Sequence, residues 1–146
     1  MPKVIHYKDS EHRGQVVALW QSVFGYETAH NEPVLAIMKK LAVQDGLFFV
    51  ATDKVNVVGT VLAGYDGHRG WLYSVAVDSS RQRQGIGRLL VKHAERALCR
   101  VGCMKVNLQL LASNESTASF YTSLGYSVEP RVSMGRLLPE NIPRQA

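Results

Sequence analysis

Apolar and polar positions change their period around one stretch, residues 71–101. Trp71-Leu72-Tyr73-Ser74-Val75-Ala76-Val77 is apolar, β-branched or aromatic at nearly every position, as a strand buried on both faces would be. From Ile86 the spacing turns helical: Ile86, Leu89, Leu90, Ala94, Ala97, Leu98 and Val101 recur three and four apart and predict one apolar stripe on a long helix. His93 falls on that stripe and reads as a satisfied core histidine. Upstream, residues 3–8 set Val4 and His6 against Ile5 and Tyr7, predicting a first strand. A helix capped by Asp9 or Ser10 follows to about Phe24, with Val16, Val17, Leu19, Trp20 and Val23 on its apolar side and Gly25 ending it. Pro33, at a first helical position, opens another helix to about Gln44.

Residues 47–52 and 57–65 read as strands joined by the turn Asp53-Lys54-Val55-Asn56, and Asp66-Gly67-His68-Arg69-Gly70 turns the chain into the 71–77 strand. Gly102 stops the long helix. The next strand, 104–111, must run parallel to 71–77 if the crossover helix packs back on the sheet. A short helix over 115–124 precedes a hairpin-like pair, 126–129 and about 132–138, that closes the sheet and leaves a Pro-containing tail. The order predicts a mixed α/β (α+β) fold with mostly antiparallel strands, in a single domain spanning 1–146.

Composition narrows the class. A chain of 146 residues with 46% apolar and 20% charged residues can bury a core without staples. No apolar run reaches spanning length, and the start, Met-Pro-Lys-Val-Ile-His-Tyr-Lys, has no secretory core, so a cytoplasmic protein with no membrane partner is expected. Cys99 and Cys103 cannot make a zinc site by themselves and read as reduced structural thiols, with no metal expected. The net charge of +5 invites a nucleic-acid partner, but no basic run or aromatic-interleaved basic strand supports one, and several arginines surround a single turn.

That turn is Gln82-x-x-Gly85-x-Gly87, with Arg81, Arg83, Arg88 and Lys92 around it. The first turn of a helix leaves N–H groups without carbonyl partners and carries the positive end of the peptide dipoles. Glycines let an anion reach those amides, and arginines add charge-assisted hydrogen bonds, so a phosphate group suits the place. An ordinary strand-to-helix connection with solvated arginines would carry the same residues. A nucleoside-triphosphate loop would need a Lys and a hydroxyl after its second glycine, and a dinucleotide fingerprint a third glycine where Leu90 stands and an acidic residue where Leu110 and Leu111 stand. Neither fits. Downstream lies Ala112-Ser113-Asn114-Glu115-Ser116-Thr117-Ala118-Ser119-Phe120-Tyr121-Thr122-Ser123-Leu124-Gly125-Tyr126. Together, Gln82-x-x-Gly85-x-Gly87 and Asn114 followed by Tyr121 and Leu124-Gly125-Tyr126 resemble the GNAT superfamily of acyl-CoA-dependent N-acyltransferases, over residues 3–138. Gly64-Tyr65-Asp66-Gly67-His68-Arg69-Gly70 is similar to a narrower bacterial group, the YpeA-type acetyltransferases.

The resemblance implies the GNAT fold, with parallel middle strands splayed apart to admit pantetheine, and acetyl-CoA as cosubstrate. It implies pantetheine contacts from Val75, Ala76 and Val77, and a pyrophosphate held by the amides of Gln82, Arg83, Gln84, Gly85, Ile86, Gly87 and Arg88. Arg83 stands where the family usually has glycine, and Ser79 where it often has proline; neither change removes an amide donor. Asn114 would cap the short helix and also contact the pantetheine arm. Tyr121, two helical turns on, would be the general acid toward the departing thiolate, the alternative being a tyrosine packed beside Phe120. The Val75 amide takes the family's oxyanion position. The general base is open, because the family's glutamate positions carry Trp71 and Gln109, which cannot accept a proton at neutral pH. Asp66, His68 and Glu27 remain as candidates, as does a route through water; Asp66 and His68 could equally be plain turn residues. Trp20, Tyr26, Glu27 and Tyr65 would line the acceptor, an amine of a small molecule or a peptide N-terminus, although they could simply pack the sheet's outer face. The absent glutamates leave a sensor that binds acyl-CoA with little or no catalysis as the alternative, and a homodimer is left open.

Overall fold

The computed structural model describes residues 2–143, so the end of the expected tail, residues 144–146, lies outside it. The chain divides into two compact units, one up to Leu108 and one from Gln109 onward. No helix among the described residues is long and apolar enough to cross a membrane.

The first unit holds the sheet. Its strands are β1 (Lys3–His6), β2 (Phe48–Asp53), β3 (Asn56–Tyr65), β4 (Gly70–Val77) and β5 (Val106–Leu108), hydrogen-bonded in that order. β1 to β4 are antiparallel, and β4 pairs with β5 in parallel. The mixed α/β class and the parallel pair are therefore present, with β5 last in the strand order.

Helices α1 (Asp9–Phe24), α2 (Pro33–Val43) and α3 (Ile86–Arg100) cover the sheet. Neighbouring residues on β3 show which helix takes which face, because successive side chains alternate. A Cβ on Gly59 would come within 2.8 Å of Leu90 and 3.3 Å of Ile86, so Gly59 faces α3. Thr60 receives a hydrogen bond from Trp20 and so faces α1. The same alternation on β2 sends Phe49 to His93 of α3 and Phe48 to Trp20 of α1. Val16, Leu19 and Trp20 of α1 join Ile37 of α2 and Phe48, Val50, Leu62 and Ala76 of the sheet in one core, with Ile5 and Tyr7 packed against it. Lys40 of α2 is buried; its ammonium donates to Asp45 at 2.8 Å and to the Ala63 carbonyl, tying α2 to β3.

Several expectations are corrected locally. Neither Asp9 nor Ser10 caps α1: Lys8 is the cap residue, and its N–H donates to Nδ1 of buried His12 at 2.9 Å. Asp9 is occupied instead by the Tyr7 hydroxyl and the Arg13 guanidinium. In the segment between α1 and α2, Ala29–Asn31 forms a 3₁₀ turn, and Glu32 caps α2 by accepting the N–H groups of Val34 and Leu35. The stripe of α3 is buried as expected at Ile86, Leu90, Ala94, Ala97 and Leu98, but Leu89 and Val101 are exposed and Val91 is buried in addition. His93 is half-buried, 4.5 Å from the Phe49 ring edge-on, with its pKa lowered by burial and by Arg96.

The second unit contains α4 (Glu115–Ser123) and a 3₁₀ turn at Pro139–Asn141. The expected strands over 126–129 and 132–138 are absent from the described residues. Val128, Val132 and Met134 are each about nine-tenths exposed and so present no buried face, and Pro130 interrupts the run with a turn closed by Arg131 N–H to Glu129 O.

Candidate functional site

The 71–77 stretch forms β4, but not as a regular strand. Its register on β3 passes from Leu62↔Tyr73 to Thr60↔Ala76, so Ser74 and Val75 together stand opposite Val61. This is a β-bulge, and Ser74 takes φ +48°, a conformation that glycine usually fills. On its other side β4 meets β5 only from Gly70↔Val106 to Leu72↔Leu108. Among the described residues, strand pairing on that side stops before Tyr73, so residues 73–77 have no strand partner there.

β4 leads into a 3₁₀ turn, Ser79–Arg81, which sequence periodicity did not reveal because three residues are too few to show a period. Asp78 caps it, accepting the N–H and hydroxyl of Ser80 at 2.9 Å each, and these bonds hold its carboxyl below the ordinary aspartate range. The Arg81 guanidinium pairs with Asp53 at 3.0 Å and donates to Gln84, so it braces the turn against the β2–β3 hairpin. Gln82, Arg83, Gln84, Gly85 and Arg88 are exposed. Arg83 and Gly85 both have positive φ, +61° and +82°. Gly85 is the cap residue of α3 and supplies no side chain. The first helical bond runs from Leu89 N–H to Gly85 O at 3.0 Å, so the amides of Ile86, Gly87 and Arg88 come before the ladder begins. A Cβ at Gly85 would meet nothing within 4 Å, which leaves the approach to these amides open. No acidic side chain lies in the first turn. Amides, helix dipole and Arg88 thus make an anion-compatible surface at the C-terminal end of β4.

The acceptor and base candidates fall elsewhere. Asp66 accepts the N–H groups of His68 and Arg69 at 2.8 and 2.7 Å and the Trp71 indole N–H at 3.2 Å. The backbone bonds, that of Arg69 first, lower its pKa, which suits a turn former and weakens a base. His68 is exposed in the same turn. Tyr65 pairs with Gly70, and its single hydroxyl proton is shared between the carbonyls of Gly67 at 3.2 Å and Gly102 at 3.4 Å, at the end of β4 where α3 terminates. Five residues of strand separate Gly70 from Val75, about 16 Å at the usual rise. Asp66, His68 and Tyr65 are therefore remote from the bulge. Trp20 does not line an open surface: it is 3% exposed, stacked with Phe48 in the core. Tyr26 and Glu27 are exposed after α1.

In the second unit, Asn114 caps α4 as expected, accepting the Thr117 N–H at 3.3 Å. Tyr121 is 6% exposed and lies edge-on to Phe120 and Tyr126 at 5.0 and 5.6 Å. Burial pushes its pKa up to about 12, so the phenol keeps its proton across neutral pH. Gln109, at one of the positions without a carboxylate, donates to the Ser133 hydroxyl.

Two residues that matter to the bulge escaped the sequence reading. Thr60 accepts from Trp20 Nε1 at 2.9 Å and donates to the Ser74 carbonyl at 2.8 Å. The signal for both was a lone hydroxyl residue inside an apolar strand.

Comparison with known proteins points one way. Residues 44–128 match the Acetyltransferase (GNAT) domain family. The chain is 33% identical over 140 residues to "Acetyltransferase SG1711" of Sodalis glossinidius (strain morsitans), covering 95% of this chain and 96% of that one. Its fold is similar to that of Ard1 from Thermoplasma volcanium, with TM-score 0.77, 21% identity, and 88% and 84% of the two chains covered. It is likewise similar to AAC(6')-Iy, solved with the bisubstrate analog CoA-S-monomethyl-acetylneamine, with TM-score 0.75, 15% identity, and 94% and 99% covered.

Proposed function

The chain belongs to the GNAT acetyltransferase family, and from that premise we propose that it transfers an acetyl group from acetyl-CoA to a primary amine by direct attack in a ternary complex, residues 1–146 acting as one acetyltransferase domain. The observation that carries this reading is the bulged, half-unpaired β4 followed, across the 3₁₀ turn, by a start of α3 that has no side-chain cap. An open strand edge can pair with the amides of pantetheine, and Val75, Ala76 and Val77 supply that edge. Residues 82–88 take the diphosphate, chiefly through the amides around Gly85 and Gly87, with Arg83 and Arg88 adding charge. Asn114 contributes a polar contact to the pantetheine arm.

In the reaction, the nitrogen lone pair of a neutral amine forms a C–N bond to the thioester carbonyl carbon. The Val75 N–H stabilises the charge that develops on the carbonyl oxygen. As that oxyanion collapses, the C–S bond breaks, and the Tyr121 phenol meets the departing thiolate with its proton. The ammonium proton leaves to water, because Asp66 and His68 stand at the far end of β4 and are better read as turn residues. Acceptor selection falls to the exposed Tyr26 and Glu27, an aromatic and a carboxylate suited to a cationic amine. The CoA-S-monomethyl-acetylneamine analog solved with AAC(6')-Iy supports a small-molecule amine as one acceptor class, alongside peptide N-termini.

Mixing the protein with acetyl-CoA and a panel of small amines and peptides, and following free thiol, tests the proposal. Turnover is expected with at least one amine. CoA binding by calorimetry with no transfer across the panel would favour the acyl-CoA sensor, a reading supported by Trp71 and Gln109 standing where the family places glutamates.

A further inference from the structure

The bulge at Ser74 is held from below by a buried relay. Thr60 is fully buried on β3, and its hydroxyl is used in both directions. It accepts from Trp20 Nε1 at 2.9 Å and donates to the Ser74 carbonyl at 2.8 Å. An indole N–H can only donate and a carbonyl can only accept, so the orientation of the Thr60 hydroxyl is fully determined. Trp20 cannot turn away: it is 3% exposed, with its ring parallel to Phe48 in the core.

The relay acts on an unfavourable backbone. Ser74 at φ +48° adopts a conformation that persists only where its surroundings enforce it. The peptide that follows is planar and trans, so the Ser74 C=O and the Val75 N–H point in opposite directions. Drawing the carbonyl toward Thr60 therefore turns the Val75 N–H away from it. Without the relay, the part-buried Ser74 carbonyl would lose this partner, and rotating the peptide to recover a bond would carry the N–H with it.

We propose that Trp20 and Thr60 are positioning residues for acetyl transfer, acting through the Ser74 carbonyl to aim the Val75 amide at the oxyanion. The proposal rests on the reading of Val75 as oxyanion donor. It reassigns Trp20 from the acceptor surface to the interior support of the reacting centre.

Thr60→Val keeps the side-chain volume and removes both bonds. Its kcat is expected to fall about 10- to 100-fold, below or at the loss seen when an oxyanion donor is deleted outright. KM for acetyl-CoA is expected to stay within about 2-fold, because the amides of residues 82–88 are untouched, and Thr60→Ser is expected to restore most of the rate. Trp20→Phe leaves the Thr60–Ser74 bond in place but frees the hydroxyl to rotate, so a smaller fall, about 3- to 10-fold, is expected. This second variant carries the test if Thr60→Val does not fold. An unchanged kcat in the folded variants, a KM rising in step with the loss, or no rescue by serine would overturn the relay. Should the wild-type protein transfer acetyl to no amine, the acetyltransfer reading fails separately. The relay is then read from amide-correlation NMR spectra of the free proteins, where the Val75 resonance should move in Thr60→Val and return in Thr60→Ser. A Val75 resonance unmoved by Thr60→Val would overturn it.

Discussion

Arg83 shows what a single backbone angle can cost. It occupies φ +61° between two exposed glutamines, in a region where an L side chain is less stable by about 1–2 kcal/mol. Glycine would remove that cost and give back about 0.5–1 kcal/mol of chain entropy. Arg83→Gly should therefore raise stability by up to about 1 kcal/mol, or about 2–4 °C in Tm by thermal unfolding, and a fall in Tm would count against the angle. Tyr121 makes two predictions. As a proton donor, Tyr121→Phe should lower kcat by about 10²-fold while acetyl-CoA affinity is kept; equal turnover would remove it from the mechanism. Its pKa is raised from 10.0 to about 12 by burial, so folding favours the protonated phenol. The resulting stabilisation is fully present below pH 10 and is lost as pH rises through about 12. Tyr121 should account for about 2–3 kcal/mol of the wild type's weakening over that window, so Tyr121→Phe should weaken less, as read from urea unfolding at stepped pH. Asn114 as a cap was legible, since a cap is a local bond between residues three apart. Thr60 was not: its two partners lie on α1 and β4, 40 and 14 residues away.

Among elements, α3 was the most legible and its seat on the sheet the least. Helical spacing predicted residues 86–101, and the helix runs Ile86–Arg100. What lets it lie close to β3 and β4 is the missing side chain at Gly59 and Gly70. A Cβ on Gly59 would meet Leu90 at 2.8 Å and the Ala76 carbonyl at 2.9 Å, and one on Gly70 would meet Cys103 at 2.7 Å. The Ala76 carbonyl is backbone and cannot swing aside, so Gly59→Ala should destabilise by about 1–3 kcal/mol through overpacking. A drop of several degrees in Tm is expected, and an unchanged Tm would show that β3 and β4 can part. The last two predicted strands failed for a related reason. The hairpin-like pair expected over 126–129 and 132–138 needs a partner ladder and a buried side, and Val128, Val132 and Met134 have no such cover.

For the whole molecule, the leading question is what acetyl-CoA does to stability. A ligand that binds only the folded chain stabilises it by about 2.7 kcal/mol at a hundredfold excess over Kd. Acetyl-CoA should therefore raise Tm by several degrees in a concentration-dependent way; no shift at millimolar concentration would remove the cofactor reading. The net charge of +5 makes a different, weaker claim. It is the balance left after pairs such as Arg81 with Asp53, Arg13 with Asp9 and Lys92 with Glu95 have cancelled. Taken alone, the sequence determined the class of fold, most helices and strands, and the glycine-containing turn that leads into α3, because these depend on periodicity and on bonds between near neighbours. Only the tertiary structure decided that Trp20 belongs to the core, that Asp66 and His68 stand a strand's length from Val75, and that β4 is bulged at Ser74. Each of these depends on which distant segments the sheet register brings opposite one another, and a shift of one residue in that register reverses every side chain it carries.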